Sequence, residues 1–274
     1  MSYMPESILN KNLSEIEQID IDSITANILD GKKRKTGEPL APKTVETLLR
    51  NFRQLVKWCV EGGRMQGNLF VKAYKAPQAA PKMYTEDELR ILSTPPKTPA
   101  HSNFFDLRNY TIVMFLMETG VRRTSLINIR ICDVDLRNNQ VQIVRSKNKS
   151  VYCVRITNVV ANLLQKYIFF RTNGQTDVVE TDVLFCDQYQ RPITQDGINT
   201  ILKKYVESRG VKYRGIHAFR HSCATMMVKN GATVAEVAQQ TGHKDLRQVE
   251  GYVHAVQSMP QDKIDKLSPL ARFM

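Results

Sequence analysis

Six side chains between residues 122 and 252 have the types needed to cleave a phosphodiester. They are Arg122 in TGVRR, Lys147 in SKNK, His217 and Arg220 in HAFRH, His243 in TGHKD, and Tyr252, nine residues after His243. Taken singly, each has an ordinary reading. Arg122 could cap the carbonyls of a preceding helix, and Lys147 could be a turn lysine. His217 could be a polar residue at a helix start, His243 a turn residue, and Tyr252 an amphipathic packing residue. Taken together they form a chemical set. His217 and Arg220 stand at i and i+3, on one helix face, in a first turn whose N–H groups and dipole attract phosphate. Two arginines would neutralise the charge that builds on a phosphodiester in its transition state. A tyrosine hydroxyl with a pKa near 10 is only about one part in a thousand phenolate at neutral pH. It needs a base, and His217 could take the proton while a lysine delivers one to the departing oxygen. The set requires no metal, and no carboxylate cluster suited to magnesium accompanies it.

These residues must be positioned by the elements around them. Residues 109–120, NYTIVMFLMETG, are apolar nearly all round and predict a buried helix ended by Gly120, just ahead of Arg122. VQIVR (141–145) and VYCVRI (151–156) predict an antiparallel hairpin whose turn carries Lys147. Helices are expected over 158–171, 195–209 and 216–231, the last bearing His217 and Arg220. Thr233-x-x-Glu236 opens another helix, and Asp245-x-x-Gln248 opens the one that bears Tyr252. The architecture expected is α+β, with helices around one small sheet.

Upstream, YKAPQAAPKMY (74–84) reads as a linker, and Thr85-x-x-Glu88 starts the next helix, so a domain boundary is expected at about residue 80. Before it, residues 13–30 predict one or two helices with Ile16, Ile19, Ile24, Ile28 and Leu29 inward. Pro42 leads into a longer helix with Val45, Leu48, Leu49, Phe52, Leu55, Val56 and Cys59 at core spacing. The opposite face carries Arg50, Arg53 and Lys57, which is either a DNA-contacting stripe or an ordinary solvated face.

The net charge of +12 is spread unevenly. Residues 1–30 are net −5, residues 31–80 net +8 and residues 81–274 net +9. A polyanionic partner, nucleic acid first, is the expectation. The five scattered cysteines, Cys59, Cys132, Cys153, Cys186 and Cys223, form no Cys-x-x-Cys pair, which argues for buried free thiols over a disulfide framework or a zinc site. No segment has the apolar run of a membrane span, and MSYMPESILNKN lacks the order of a signal peptide, so a cytoplasmic, nucleoid-associated protein is expected.

In order and spacing, Arg122, Lys147, His217-x-x-Arg220, His243 and Tyr252 resemble the tyrosine recombinases, also called phage integrases. TGVRRTSLINIRICDVDL looks like that family's first box, and HAFRHSCATMMVKNG with TGHKD and Tyr252 like its second. The resemblance is strong over 100–255 and weaker over 40–75, which is similar to the family's helical core-binding domain. It implies a core-type DNA-binding domain over 1–80 and a mostly helical catalytic domain over 81–274, with a small antiparallel sheet and a C-terminal tail that docks on a neighbouring protomer. It implies that Tyr252 attacks a scissile phosphate to form a 3′-phosphotyrosyl link, that Arg122 and Arg220 hold the non-bridging oxygens, and that Lys147 protonates the leaving 5′-oxygen. His217 would accept or relay the tyrosine proton, and His243 would hydrogen-bond the phosphate. No metal, cofactor or ATP is implied. The partners implied are duplex DNA with a specific site, a homo-tetramer on synapsed DNA, and accessory proteins in some cases.

The sequence departs from the family pattern in places. Ser125 stands where a glutamate is frequent three residues after the first arginine. The hairpin reads Ser146-Lys147-Asn148 in place of Gly-Lys-Gly, which leaves Lys149 as an alternative acid. The short lead before the core-binding region suggests a simple recombinase without an arm-binding domain, serving a mobile element or resolving DNA. Two other readings stay open: relaxation of DNA in the manner of a type IB topoisomerase, and a DNA-binding protein without catalysis.

Overall fold

The computed structural model describes residues 4–32, 36–77, 80–96, 104–144, 150–172, 182–243, 246 and 249–250. The chain divides into two units, Met1–Ala80 and Pro81–Met274.

In the first unit the described elements are helices: α1 (Glu6–Leu9), a 3₁₀ turn (Leu13–Glu15), α2 (Gln18–Leu29) and α3 (Pro42–Glu61). Ile21, Ile24 and Ile28 line one stripe of α2 and meet Val45, Leu49, Val56 and Cys59 of α3. Ile19 and Leu29, expected inward, are 71% and 47% exposed, and Leu55 of α3 is 54% exposed. Each helical step turns about 100°, so Ile19 lies roughly 200° from Ile21, and Leu55 stands one step outside the stripe that Val56 occupies. Pro42 takes the first position of α3, where its missing N–H costs nothing.

The second unit is built around α5 (Phe104–Thr119), following α4 (Glu86–Ser93). Leu107, Ile112, Val113, Phe115 and Leu116 of α5 are at most 1% exposed, because α7 (Asn158–Arg171), α8 (Gln195–Ser208) and α9 (Ile216–Lys229) pack around it. The short α6 (Arg123–Leu126) leads to a three-stranded antiparallel sheet, β1 (Val134–Asp135), β2 (Gln140–Val144) and β3 (Val151–Arg155), in that order. Val141 pairs with Val154 and Val144 with Val151, and Val141, Ile143 and Val154 are fully buried. α10 (Val234–Thr241) packs on β3 and α9. The α+β expectation therefore holds, with β1 an added two-residue strand too short to leave a pattern in the sequence.

Caps written in the sequence form as capping boxes at Thr85/Glu88 and Thr233/Glu236, each worth about 1 kcal/mol of helix stability. The segment entering α4 is fastened to α9: Tyr84 N–H donates to Ser222 Oγ at 2.8 Å, and the Tyr84 ring sits 4.6 Å from that of Phe219. All five cysteines are free thiols, but Cys132, just before β1, and Cys153, at an exposed position of β3, are exposed, contrary to expectation. Among the described residues no helix is long and apolar enough to cross a membrane.

Candidate active site

Four of the six singled-out residues lie within the described residues, and they converge. α5 ends at Gly120, whose φ of +56° is the left-handed conformation that lets the chain turn toward Arg122. A Cβ there would meet Cys223 Cβ and Thr241 Cγ2, each at 3.3 Å, so α5, α9 and α10 approach closely at this glycine. Arg122, half-buried, is the residue before α6, and its Nη1 donates to the Gly242 carbonyl at 2.9 Å. Arg220, 5% exposed on α9, donates through Nη1 to the carbonyls of Gly120 (2.8 Å) and Thr241 (2.5 Å) and through Nε to His243 Nε2 (3.3 Å). The two arginines thus grip three successive residues, Thr241, Gly242 and His243, where α10 ends. Arg220, and not Arg122, is the arginine that caps the end of α5.

Gly242 makes this turn possible. Its φ is +69°, the left-handed helix cap, and a Cβ there would run into the ring of Tyr152 on β3. His243 follows it into the interior, 8% exposed, with Nδ1 2.6 Å from Thr241 Oγ1. Burial first, then the charges of Arg220 and Arg122 and the neighbouring His221, push its pKa down to about 3. His217, exposed in the first turn of α9, has its pKa lowered by partial burial and then by Arg220, Arg123 and Arg122. A lowered pKa keeps His217 in the neutral form that can accept a proton.

The His243 shift carries a stability signature. Unfolded, the imidazole titrates near 6.5, and folded near 3. Between those values the unfolded chain binds a proton that the folded chain refuses, so stability rises with pH across the window. The contribution is complete above about 6.5 and is lost as pH falls toward 3, at up to about 1.4 kcal/mol per pH unit. Urea midpoints at pH 5.2 and 6.8 (above roughly the range where most carboxylates titrate) should differ in wild type and differ less in His243→Asn. Equal pH dependence in the two proteins would contradict this assignment.

Lys147 and its alternative Lys149 lie outside the described residues. The strand ends that flank their connection are described: Ser125, buried on α6, donates through Oγ to the Val144 carbonyl at 3.4 Å, so β2 ends beside the helix that follows Arg122. Tyr252 also lies outside the described residues. Just before it, the N–H groups of Val249 and Glu250 donate to the Leu246 carbonyl, and Val249 is buried against Ala224, Val237 and Ala238. Among the described residues no three His, Cys, Asp or Glu side chains gather as metal ligands would.

In the first unit, Arg50 and Lys57 are exposed on α3, with Lys57 Nζ 3.6 Å from Glu61. Arg53 is half-buried and is drawn into the fold: its Nε and Nη2 donate to the carbonyls of Val71 and Lys72, both at 2.9 Å. Sequence reasoning passed over Thr241, Tyr152, Arg123 and Gly242's steric role. Gly242 alone left a signal, a glycine directly after a helical run.

Comparison with known proteins follows the same residues. The phage integrase family matches residues 81–259. Tyrosine recombinase XerD of Listeria innocua serovar 6a is 24% identical over 275 residues, covering 99% of this chain and 89% of that protein. Tyrosine recombinase XerD of Staphylococcus haemolyticus is 30% identical over 187 residues, and the match spans 68% of this chain and 62% of that protein's length. The crystal structure of XerH site-specific recombinase bound to its difH substrate shares the fold, with a TM-score of 0.67 at 18% identity, over 98% of this chain and 75% of that one.

Proposed function

This chain belongs to the phage integrase family, the tyrosine recombinases, and from that premise we propose that it is a site-specific DNA recombinase that cleaves and rejoins strands through a 3′-phosphotyrosyl intermediate. The observation that carries the reading is the convergence of Arg122, Arg220, His217 and His243 at the end of α10. Tyr252 Oη attacks the scissile phosphorus, the bond to the 5′-oxygen breaks, and Lys147 gives that oxygen its proton. His217, neutral and exposed, takes the tyrosine proton. Arg122 and Arg220 counter the negative charge on the non-bridging oxygens. A 5′-hydroxyl of the partner strand then reverses the step. One phosphoester replaces another, so the bond energy is retained and the proposed reaction draws on neither ATP nor metal. Relatives named as recombinases favour this over relaxation in the manner of a type IB topoisomerase and over DNA binding without catalysis.

The partner is duplex DNA carrying a recombination site. A homo-tetramer on synapsed DNA, accessory proteins in some reactions and a cytoplasmic, nucleoid-associated setting complete the proposal. Suicide duplexes test it: half-sites selected by binding from a randomised pool, nicked so that the short 5′-hydroxyl fragment diffuses away. Wild type should yield an adduct that survives denaturation, with the DNA on Tyr252 in peptide mass spectrometry. No adduct, or attachment elsewhere, refutes the reading.

The unit 1–80 is proposed as the core-type DNA-binding domain, with Arg50 and Lys57 against phosphates. Arg53 belongs to the same stripe, but its bonds to Val71 and Lys72 make it a support of that surface as well. Replacing both Arg50 and Lys57 with alanine should weaken DNA binding and flatten the slope of log K against log salt by about two phosphate contacts' worth, roughly 1–2 units. An unchanged slope in fluorescence-anisotropy titrations would remove α3 from the interface.

A further inference from the structure

We infer that Gln240 is a positioning residue for strand transfer: its side-chain amide pairs with the backbone of Arg155 as a further strand would, and so sets where the hairpin that carries Lys147 stands against the arginines gathered at the end of α10. The effect on rate rests on the recombinase reading, whereas the backbone lock does not.

The assignment follows from the pairing of the sheet. β3 stands at an edge, next to β2 alone among the described strands. The Ile156 N–H donates to the Asn139 carbonyl at 2.9 Å, on the β2 side. Backbone groups alternate in direction along a strand, so the N–H and carbonyl of Arg155 face the open edge. Gln240, half-buried in the last turn of α10, meets both. The Arg155 N–H donates to Gln240 Oε1 at 3.0 Å, and Gln240 Nε2 donates to the Arg155 carbonyl at 2.6 Å. A side-chain amide offers an acceptor and a donor group, as a peptide does, and these two bonds fix which end is which. Nε2 also donates to the Glu118 carbonyl at 3.4 Å, in the last turn of α5, shortly before Arg122. The Glu118 carboxylate in turn accepts from the Thr157 N–H at 2.5 Å, just past the end of β3. The ends of α5 and α10 and the root of the hairpin thus close into one ring of hydrogen bonds.

A second contact lies further along β3. Gly242, close behind Gln240 in the chain, stands so near Tyr152 that a Cβ would meet its ring. From Arg155 to Tyr152 is about 10 Å of strand. Two attachments that far apart fix both the position and the direction of β3, where one alone would leave it a pivot. The same short segment is the one that Arg122 and Arg220 grip, through the carbonyls of Gly242 and Thr241. The arginines proposed to hold the phosphate and the lysine proposed to protonate the leaving oxygen therefore share one mount. A misplacement on the order of 1 Å costs up to about 10²-fold in rate, so a loosened root should slow cleavage through the acid.

Amide hydrogen exchange of the DNA-free protein tests the lock. In Gln240→Met, which keeps the length of the side chain and removes its amide, the Arg155 N–H should exchange about tenfold faster than in wild type. An unchanged exchange rate overturns the inference. Suicide duplexes test the consequence in two forms, with oxygen or with sulfur bridging the scissile phosphorus to the 5′ carbon. A thiol, with a pKa of about 8.5, departs as its anion without a donated proton. Gln240→Met should cleave the oxygen form about tenfold more slowly than wild type and the sulfur form at the wild-type rate, at unchanged DNA affinity. Equal slowing of both forms would be a general loosening of the site and overturns the inference, as does wild-type cleavage of the oxygen form. Should Gln240→Met fail to fold, Gln240→Glu takes its place, since it keeps an acceptor for the Arg155 N–H and sets a carboxylate oxygen against the Arg155 carbonyl. Absence of any adduct from wild type on either form would defeat the recombinase reading and leave the exchange result to decide the lock.

Discussion

Tyr252→Phe is expected to abolish covalent DNA capture while leaving non-covalent DNA affinity and the thermal midpoint of the protein unchanged. The substitution removes one oxygen, so shape and apolar area are nearly conserved. Loss of the adduct alone would then report on chemistry and not on folding. Five described tyrosines of the second unit are poor substitutes for it. Tyr205 and Tyr213 have their hydroxyl pKa pushed up to about 12, chiefly by burial, and burial likewise raises Tyr84, Tyr110 and Tyr167. A phenol whose pKa is raised is a poorer source of phenolate. Several of these hydroxyls are also engaged: Tyr213 donates to Asn199 Oδ1 at 3.2 Å, and Tyr84 accepts from the Arg214 N–H at 3.2 Å. An adduct that persists in Tyr252→Phe, quantified on denaturing gels, would move the nucleophile elsewhere and undo the proposed roles of the surrounding residues.

The elements that hold the site were legible where a local rule sufficed. Thr233-x-x-Glu236 announces the start of α10, and the glycine after Thr241 announces its end, because caps and left-handed turns are encoded within a few residues. The all-apolar run before Gly120 announces a helix buried on every side. What a single residue does across the fold was not legible. Arg53 falls in a basic stripe at helical spacing, yet two of its donors go to carbonyls eighteen and nineteen residues away. Thr241 reads as an ordinary residue in a last turn. Its contacts depend on Arg220 arriving from α9 and on His243 folding back beside it, which no spacing rule contains. Ile19 and Leu55 failed for a related reason: an apolar side chain lies inward only if a partner covers its side of the helix, and α2 and α3 cover each other along one stripe alone.

Arg220→Ala and Arg220→Lys should separate structural from chemical demands on the same side chain. In the alanine variant the carbonyls of Gly120 and Thr241 and the His243 Nε2 lose their donor in a buried setting. Leaving such acceptors unsatisfied costs roughly 1–3 kcal/mol each at most, so a loss of about 3 kcal/mol in urea unfolding is expected. Adduct formation should fall by a factor on the order of 10³ or more, since both a transition-state charge and the grip on α10 disappear. Lysine keeps the charge but replaces a planar fork with one ammonium group on a flexible stem. A single Nζ cannot meet two carbonyls and the imidazole from the directions that Nη1 and Nε now serve. The lysine variant should therefore recover part of the stability, yet still cleave about 10²-fold more slowly than wild type in single-turnover assays. The same geometry predicts that His243→Asn adds little to the defect of Arg220→Lys, because the bond from Arg220 Nε to His243 Nε2 is already lost with the guanidinium; two fully additive effects would place the residues in separate roles. Wild-type cleavage by the lysine variant would reduce Arg220 to a point charge, and the fork that joins α5, α9 and α10 would be a matter of folding alone.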